Sequence, residues 1–134
     1  SKQKLDKWYS RHRQTLSKYS IHGFPTKDRG ILVLLRKASS CKISNITNNS
    51  DTLHFLLTLP DLMQINVLAI YAPSKDNPNN FWEEIHNISN SGTASHRIIM
   101  GDLNCTLDHS MDSRGYKSDP HPKSRKIIQS FLEN

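Results

Sequence analysis

Cysteine, glycine and aromatic residues are all scarce in this chain of 134 residues, which has two Cys, five Gly and 7% Phe, Trp and Tyr. Cys41 and Cys105 make no metal-type spacing and are too few for a disulfide framework, so both are read as free thiols in a reducing compartment. Long apolar runs are missing as well. No segment approaches the roughly 20 apolar residues of a membrane helix. The amino end, SKQKLDKWYSRHRQ, is charged where a signal peptide has an apolar stretch. The expectation is an intracellular protein, nuclear or cytoplasmic, that is not secreted and has no membrane partner. Asn-x-Ser/Thr triplets at Asn45, Asn48, Asn87 and Asn104 are then chance products of an Asn- and Ser-rich sequence. Acidic residues are scarce at one end only. Ser1 to Lys42 carries eleven Lys and Arg against two Asp, a balance of +9, and the remainder seven against ten, a balance of −3. The basic first third admits a polyanionic partner.

At this length the chain makes one domain at most, with a small core, and its pattern is α/β. Lys4 to Leu16 sets Leu5, Trp8, Tyr9 and Leu16 among basic residues, as in a short helix or an extended basic lead-in. KYSIHGF and RGILVLLRK follow, separated by Gly23, Pro25 and Gly30, which predicts a hairpin whose second strand carries the apolar run Ile31 to Leu35. CKISNI alternates, with Cys41, Ile43 and Ile46 expected inward. NNSD punctuates before the strand TLHFLLTL. QINVLAIYAP is the next strand, stopped at Pro73. Asn79 to Asn90 reads as an amphipathic helix: Asn79 or Asn80 caps it, Phe81, Trp82, Ile85 and Ile88 recur at helical spacing, and Glu83 and Glu84 sit near its positive end. RIIM is expected as a short central strand. Gly101 to Pro122 is a long polar segment, and KSRKIIQSFLEN begins a last helix on Ile127, Ile128, Phe131 and Leu132.

The chemistry-bearing residues gather where strands end. RIIMGDLN breaks from apolar residues at Gly101 into Asp102, Leu103 and Asn104. If the strand stays extended through Asn104, both polar side chains share one face and Leu103 turns the other way. A carboxylate there orients or deprotonates a water, and an amide bonds a phosphate oxygen or that water, a pairing suited to phosphodiester hydrolysis. The plainer reading is a strand-end turn in which Asp and Asn bond local backbone. Tyr71 stands 31 residues before Asp102, at the end of another strand and across one helix, the length of a crossover between parallel neighbours. Its phenol would then stand beside Asp102 and Asn104, able to bond a phosphate oxygen. On its own, Tyr71 reads as a half-buried strand-end aromatic.

Tyr71-Ala72-Pro73 at a strand end, followed after a helix by Gly101-Asp102-Leu103-Asn104, resembles the signature of the endonuclease/exonuclease/phosphatase superfamily. The resemblance is closest to the apurinic-endonuclease-like domain of LINE-type non-LTR retrotransposons. RGILVLL is similar to that branch's Gly-Val-x-Ile-Leu strand, FWEEIHNI to its helix after the Tyr, and MDSRG to its Asp-x-x-Arg neighbourhood, so the match runs in order along almost the whole chain. It implies a four-layered α/β sandwich of the DNase I-like type, a mixed sheet with flanking helices, of which residues 1–134 would be a part. It further implies Mg²⁺-dependent cleavage of a DNA backbone. Asp102 would position the attacking water, Asn104 would hold water or phosphate, and Tyr71 would support the phosphate; Asp112 and Arg114 would contact substrate. A surface salt bridge between Asp112 and Arg114 reads equally well. In retrotransposons such a nick primes a reverse transcriptase, so the resemblance leaves room for that enzyme in a longer polypeptide, and the sequence itself does not say whether one follows.

Three parts of the family pattern have no counterpart here: a first-strand Asn, a metal-binding Glu on the following strand and a late Asp-His pair. The chain is therefore expected to be a fragment with an incomplete metal site and little activity of its own. Asp108-His109 lies too soon after Asn104 to replace the late pair and reads as a solvated turn. His96, His109 and His121 fit no common ligand spacing. Two other functions stay open. One is a catalytically dead binding remnant using Lys4, Lys7, Arg11 and Arg13 interleaved with Trp8 and Tyr9, residues that read equally well as a solvated face. The other is a superfamily phosphatase or phosphodiesterase acting on a small or lipid phosphate.

Overall fold

A computed structural model describes residues 2–23, 30–74, 79–91, 94–108, 111, 118 and 121–132. The chain begins with α1 (Lys2–Leu16) and a two-stranded antiparallel sheet, β1 (Tyr19–His22) and β2 (Val33–Arg36), in the register Tyr19 to Arg36. After a single 3-10 turn come β3 (Lys42–Asn48), β4 (Thr52–Thr58) and β5 (Gln64–Tyr71), then α2 (Asn79–Ser91), β6 (His96–Asp102) and α3 (Pro122–Leu132). The last four strands form one mixed sheet in the order β3-β4-β5-β6: the first three are antiparallel neighbours, and β6 lies parallel to β5. The α/β class with a mixed sheet and flanking helices is therefore observed. No helix among the described residues is long and apolar enough to cross a membrane.

β5 runs through the centre of the core. Val67 to Ile70 are all buried, as a strand covered on both faces requires, and alternation sorts them between two clusters. On one face Leu68, Ile70 and Ala72 pack under Trp82 and Ile85 of α2 and Ile128 of α3. On the other, Val67 and Ala69 join Leu53 and Phe55 of β4 beneath Ile31 and Val33, so the small sheet covers that side. The helix face of the large sheet thus recruits the amphipathic stripe of α2. Burial of side chains this size stabilises by about 1.5–3 kcal/mol each.

Several expectations need correction. RIIM lies in β6, which is the outermost strand rather than a central one, because none of the described residues pairs with its far edge. Ile46 is exposed, not inward. The cause is a bulge: Asn45 takes a positive φ of 52°, the β3–β4 register shifts between Ser44 and Thr47, and alternation is lost beyond it. The run Ile31 to Leu35 is only partly strand, and Leu34 is exposed, because β2 sits in an outer layer with one covered side. The lead-in of the chain is helical, and Leu16 at its end is buried.

Candidate functional site

The ends of β5 and β6 meet at one corner of the sheet. Tyr71 is the register partner of Asp102, and the ladder closes with Ala72 N–H donating to the Asp102 carbonyl at 2.8 Å. Register partners project to the same face, so the phenol and the carboxylate stand side by side. Both residues are exposed, and Tyr71 retains 37% of its surface. The crossover expected between these strands is present, with α2 spanning it.

Gly101 makes this meeting possible. Its φ is 134°, and a Cβ built on it would lie 1.9 Å from the Ile70 carbonyl oxygen, so only glycine admits this approach of the two backbones. The expectation that Asn104 continues an extended strand and shares a face with Asp102 is not met. The strand ends at Asp102 and does not stay extended, since Asn104 takes a left-handed φ of 46°. Its side chain is therefore not stacked two residues along from Asp102 on a strand face. Instead the Asp102 carboxylate accepts the Asn104 N–H at 2.9 Å, and the Asn104 amide donates to the Ala72 carbonyl at 2.6 Å. The plainer reading, local backbone bonding at a strand-end turn, describes the first contact, whereas the second reaches 32 residues back and ties Asn104 to the exit of β5. Leu103 packs against the helix-side core, as expected.

Asp51, which sequence reasoning passed over, belongs to the same corner. Tyr71 N–H donates to its carbonyl at 2.8 Å, extending the β4–β5 ladder by one pair, so Asp51 stands across Tyr71 from Asp102. Asn49 fixes it: the Asn49 side-chain oxygen accepts from the N–H groups of Asp51 at 2.9 Å and Thr52 at 2.7 Å, while its amide donates to Glu84 of α2 at 3.1 Å. NNSD was legible as a turn, and the Asn-x-Asp spacing of a side-chain-to-backbone turn was its signal. Its position beside Tyr71 depended on strand pairing that no local pattern encodes.

The remaining candidates divide by location. Asp112, Arg114 and His109 lie outside the described residues. Asp108 is exposed and accepts from the Met111 N–H at 3.3 Å, a turn contact. His96 bonds the Ser95 hydroxyl, and the His121 ring bonds the Ser74 carbonyl at 2.9 Å, fastening the start of α3 to the exit of β5. No group of three or more His, Cys, Asp or Glu suited to a metal ion is found among the described residues. A depression of about 450 Å³ lined by Tyr9, Ser10, Arg13, Leu16 and Ser17 lies along α1, not at the strand ends. At the corner Tyr71 and Asp102 are exposed, whereas Asp51 and Asn104 are half-buried. No protein-family model matches this chain, and no curated protein matches it.

Proposed function

We propose that this chain is part of a Mg²⁺-dependent endonuclease of the endonuclease/exonuclease/phosphatase type, built on a DNase I-like sandwich and cutting DNA phosphodiester bonds, with a reverse transcriptase as its neighbour in a longer polypeptide. The observation that carries this reading is the register pairing of Tyr71 with Asp102 at the ends of adjacent parallel strands, with Asn104 tied across to Ala72. In this reading the exposed Asp102 carboxylate orients a water and takes its proton. The Tyr71 hydroxyl and the Asn104 amide group hold oxygens of the phosphate, and fixed donors of this kind favour the charge that develops during displacement.

Mg²⁺ binds one or two protein carboxylates together with substrate phosphate and water, and when bound it would neutralise charge on the phosphate. Asp102 and Asp51 flank Tyr71 but do not by themselves make a metal cluster. The described residues thus fall short of a metal site, and no step above passes through the ion. Asp112 and Arg114 remain proposed substrate contacts.

Supercoiled-plasmid nicking with Mg²⁺ tests the proposal, run on the 134-residue chain and on a longer polypeptide from the reading frame around it. Little nicking is expected from the chain, and Mg²⁺-dependent nicking from the longer protein that Asp102→Ala lowers by about 10²-fold or more. Undiminished nicking by the Asp102→Ala protein would overturn it. A binding role is favoured separately by α1, where Lys7, Trp8, Arg11 and Arg13 are all exposed on one helix. DNA affinity that falls steeply with salt and survives Asn104→Ala, with no nicking from either protein, would select binding over cutting.

A further inference from the structure

Among the described residues no strand pairs with the outer edge of β6. All seven of its residues are exposed, with Ile98, Ile99 and Met100 retaining 43%, 41% and 44% of their surface. Parallel strands are ordinarily covered on both faces, and a flat apolar edge invites another strand. At the far side of the sheet, β3 protects itself with polar residues and the bulge at Asn45. β6 pairs with β5 without interruption over seven residues, and its polar residues, His96, Arg97 and Asp102, lie toward its ends, which leaves Ile98, Ile99 and Met100 exposed between them.

Its peptide groups also have a defined polarity. Asp102 turns its carbonyl toward β5, where Ala72 donates to it. Alternation gives Met100 and Ile98 the same direction and turns the N–H and C=O groups of Ile99 and Arg97 outward.

We propose that β6 pairs antiparallel with β6 of a second copy of this chain, about a two-fold axis at Ile99, joining two four-stranded sheets into one. Centring on Ile99 places an outward-turned residue opposite itself, which forms a mutually hydrogen-bonded pair. The rest of the register follows. Ile98 meets the partner's Met100, Arg97 meets the partner's Gly101, where no side chain obstructs it, and His96 meets the partner's Asp102. Symmetry repeats each of these pairs. The imidazole–carboxylate pairing is the complementarity that selects this register. Moving the axis to Ile98 sets Asp102 against Ala94, and moving it to Met100 sets Asp102 against Ile98. Each shift also shortens the ladder. A two-fold contact of this kind closes on itself and does not propagate.

The pairing has a consequence for the corner described above. His96, Ile98, Met100 and Asp102 share the face that carries Tyr71, so each copy delivers an imidazole beside the other's Asp102. The inference stands on the edge alone and does not depend on the chemistry assigned to that corner.

Sedimentation velocity of the 134-residue chain over a concentration series should show a reversible monomer–dimer equilibrium. Ile99→Lys sets two ammonium groups on the axis and should weaken the dimer at least about tenfold, with circular dichroism confirming that the variant is folded. His96→Asp opposes two carboxylates and should weaken it too, whereas His96→Asp combined with Asp102→Lys should restore it. A chain that stays monomeric throughout, open-ended oligomers, or dimers indifferent to Ile99→Lys and His96→Asp would overturn the proposal, as would failure of the charge swap to restore pairing.

Discussion

Replacing Gly101 by alanine would drive a side chain into the backbone of β5 at Ile70. The added Cβ would sit 1.9 Å from the Ile70 carbonyl oxygen and 2.9 Å from its carbon. Ordinary carbon–oxygen contacts lie at about 3.3–3.6 Å, so the strands must separate by roughly 1.5 Å at this position. The left-handed φ of 134° adds a backbone cost of about 1–2 kcal/mol for a residue with a Cβ. Separation also strains two hydrogen bonds at the strand ends, Ala72 to Asp102 and Asn104 to Ala72, worth about 1 kcal/mol each. Together these effects destabilise the Gly101→Ala chain by about 3–4 kcal/mol, a large part of the ~5–15 kcal/mol typical of a folded domain. Urea denaturation followed by circular dichroism measures it: with a slope of about 1.5 kcal/mol per molar, the midpoint should fall by roughly 2 M or more. A variant within about 0.5 kcal/mol of the parent would refute the reasoning, because surface substitutions without a structural role fall in that range.

Asn104→Ala should destabilise by about 2–3 kcal/mol, combining a lost bond to Ala72 with a left-handed backbone that alanine resists, and Asn104→Gly should recover the backbone part; equal losses in both variants on urea titration would contradict this. His54 is predicted to make the fold acid-sensitive. Burial lowers its pKa from 6.5, and Nε2 has no partner in the interior. Just below pH 6.5 the unfolded chain binds the proton more readily than the folded one, so stability should decline as pH falls from 6.5 to the folded pKa and then level off. Chemical denaturation across that window should show His54→Leu with a shallower decline than the parent, and parallel curves would remove His54 as the cause.

The sequence disclosed most where periodicity and composition speak locally. The stripe Trp82, Ile85, Ile88 predicted α2, and the apolar run before Pro73 predicted β5, because burial imposes both patterns directly. Tyr71 and Asp102 were expected as neighbours from the strand–helix–strand spacing, and their register pairing agrees. Asn104 was harder to read. A two-residue spacing implies a shared face only while the backbone remains extended, and the left-handed φ of Asn104, with its N–H turned onto the Asp102 carboxylate, bends it instead. The place of β6 was also hidden, since the apolar run RIIM reads as a buried central strand and its composition does not say how many strands it pairs with. Asp51 needed the pairing of β4 with β5, a contact between segments that no single stretch encodes.

The central claim is that β5 and β6 finish together, and a through-hydrogen-bond NMR coupling tests it most directly. The Ala72 amide nitrogen should show a coupling to the Asp102 carbonyl carbon, across the 2.8 Å bond that closes the ladder. A freely exchanging Ala72 amide, or one coupled to a different carbonyl, would separate Tyr71 from Asp102 and contradict the site.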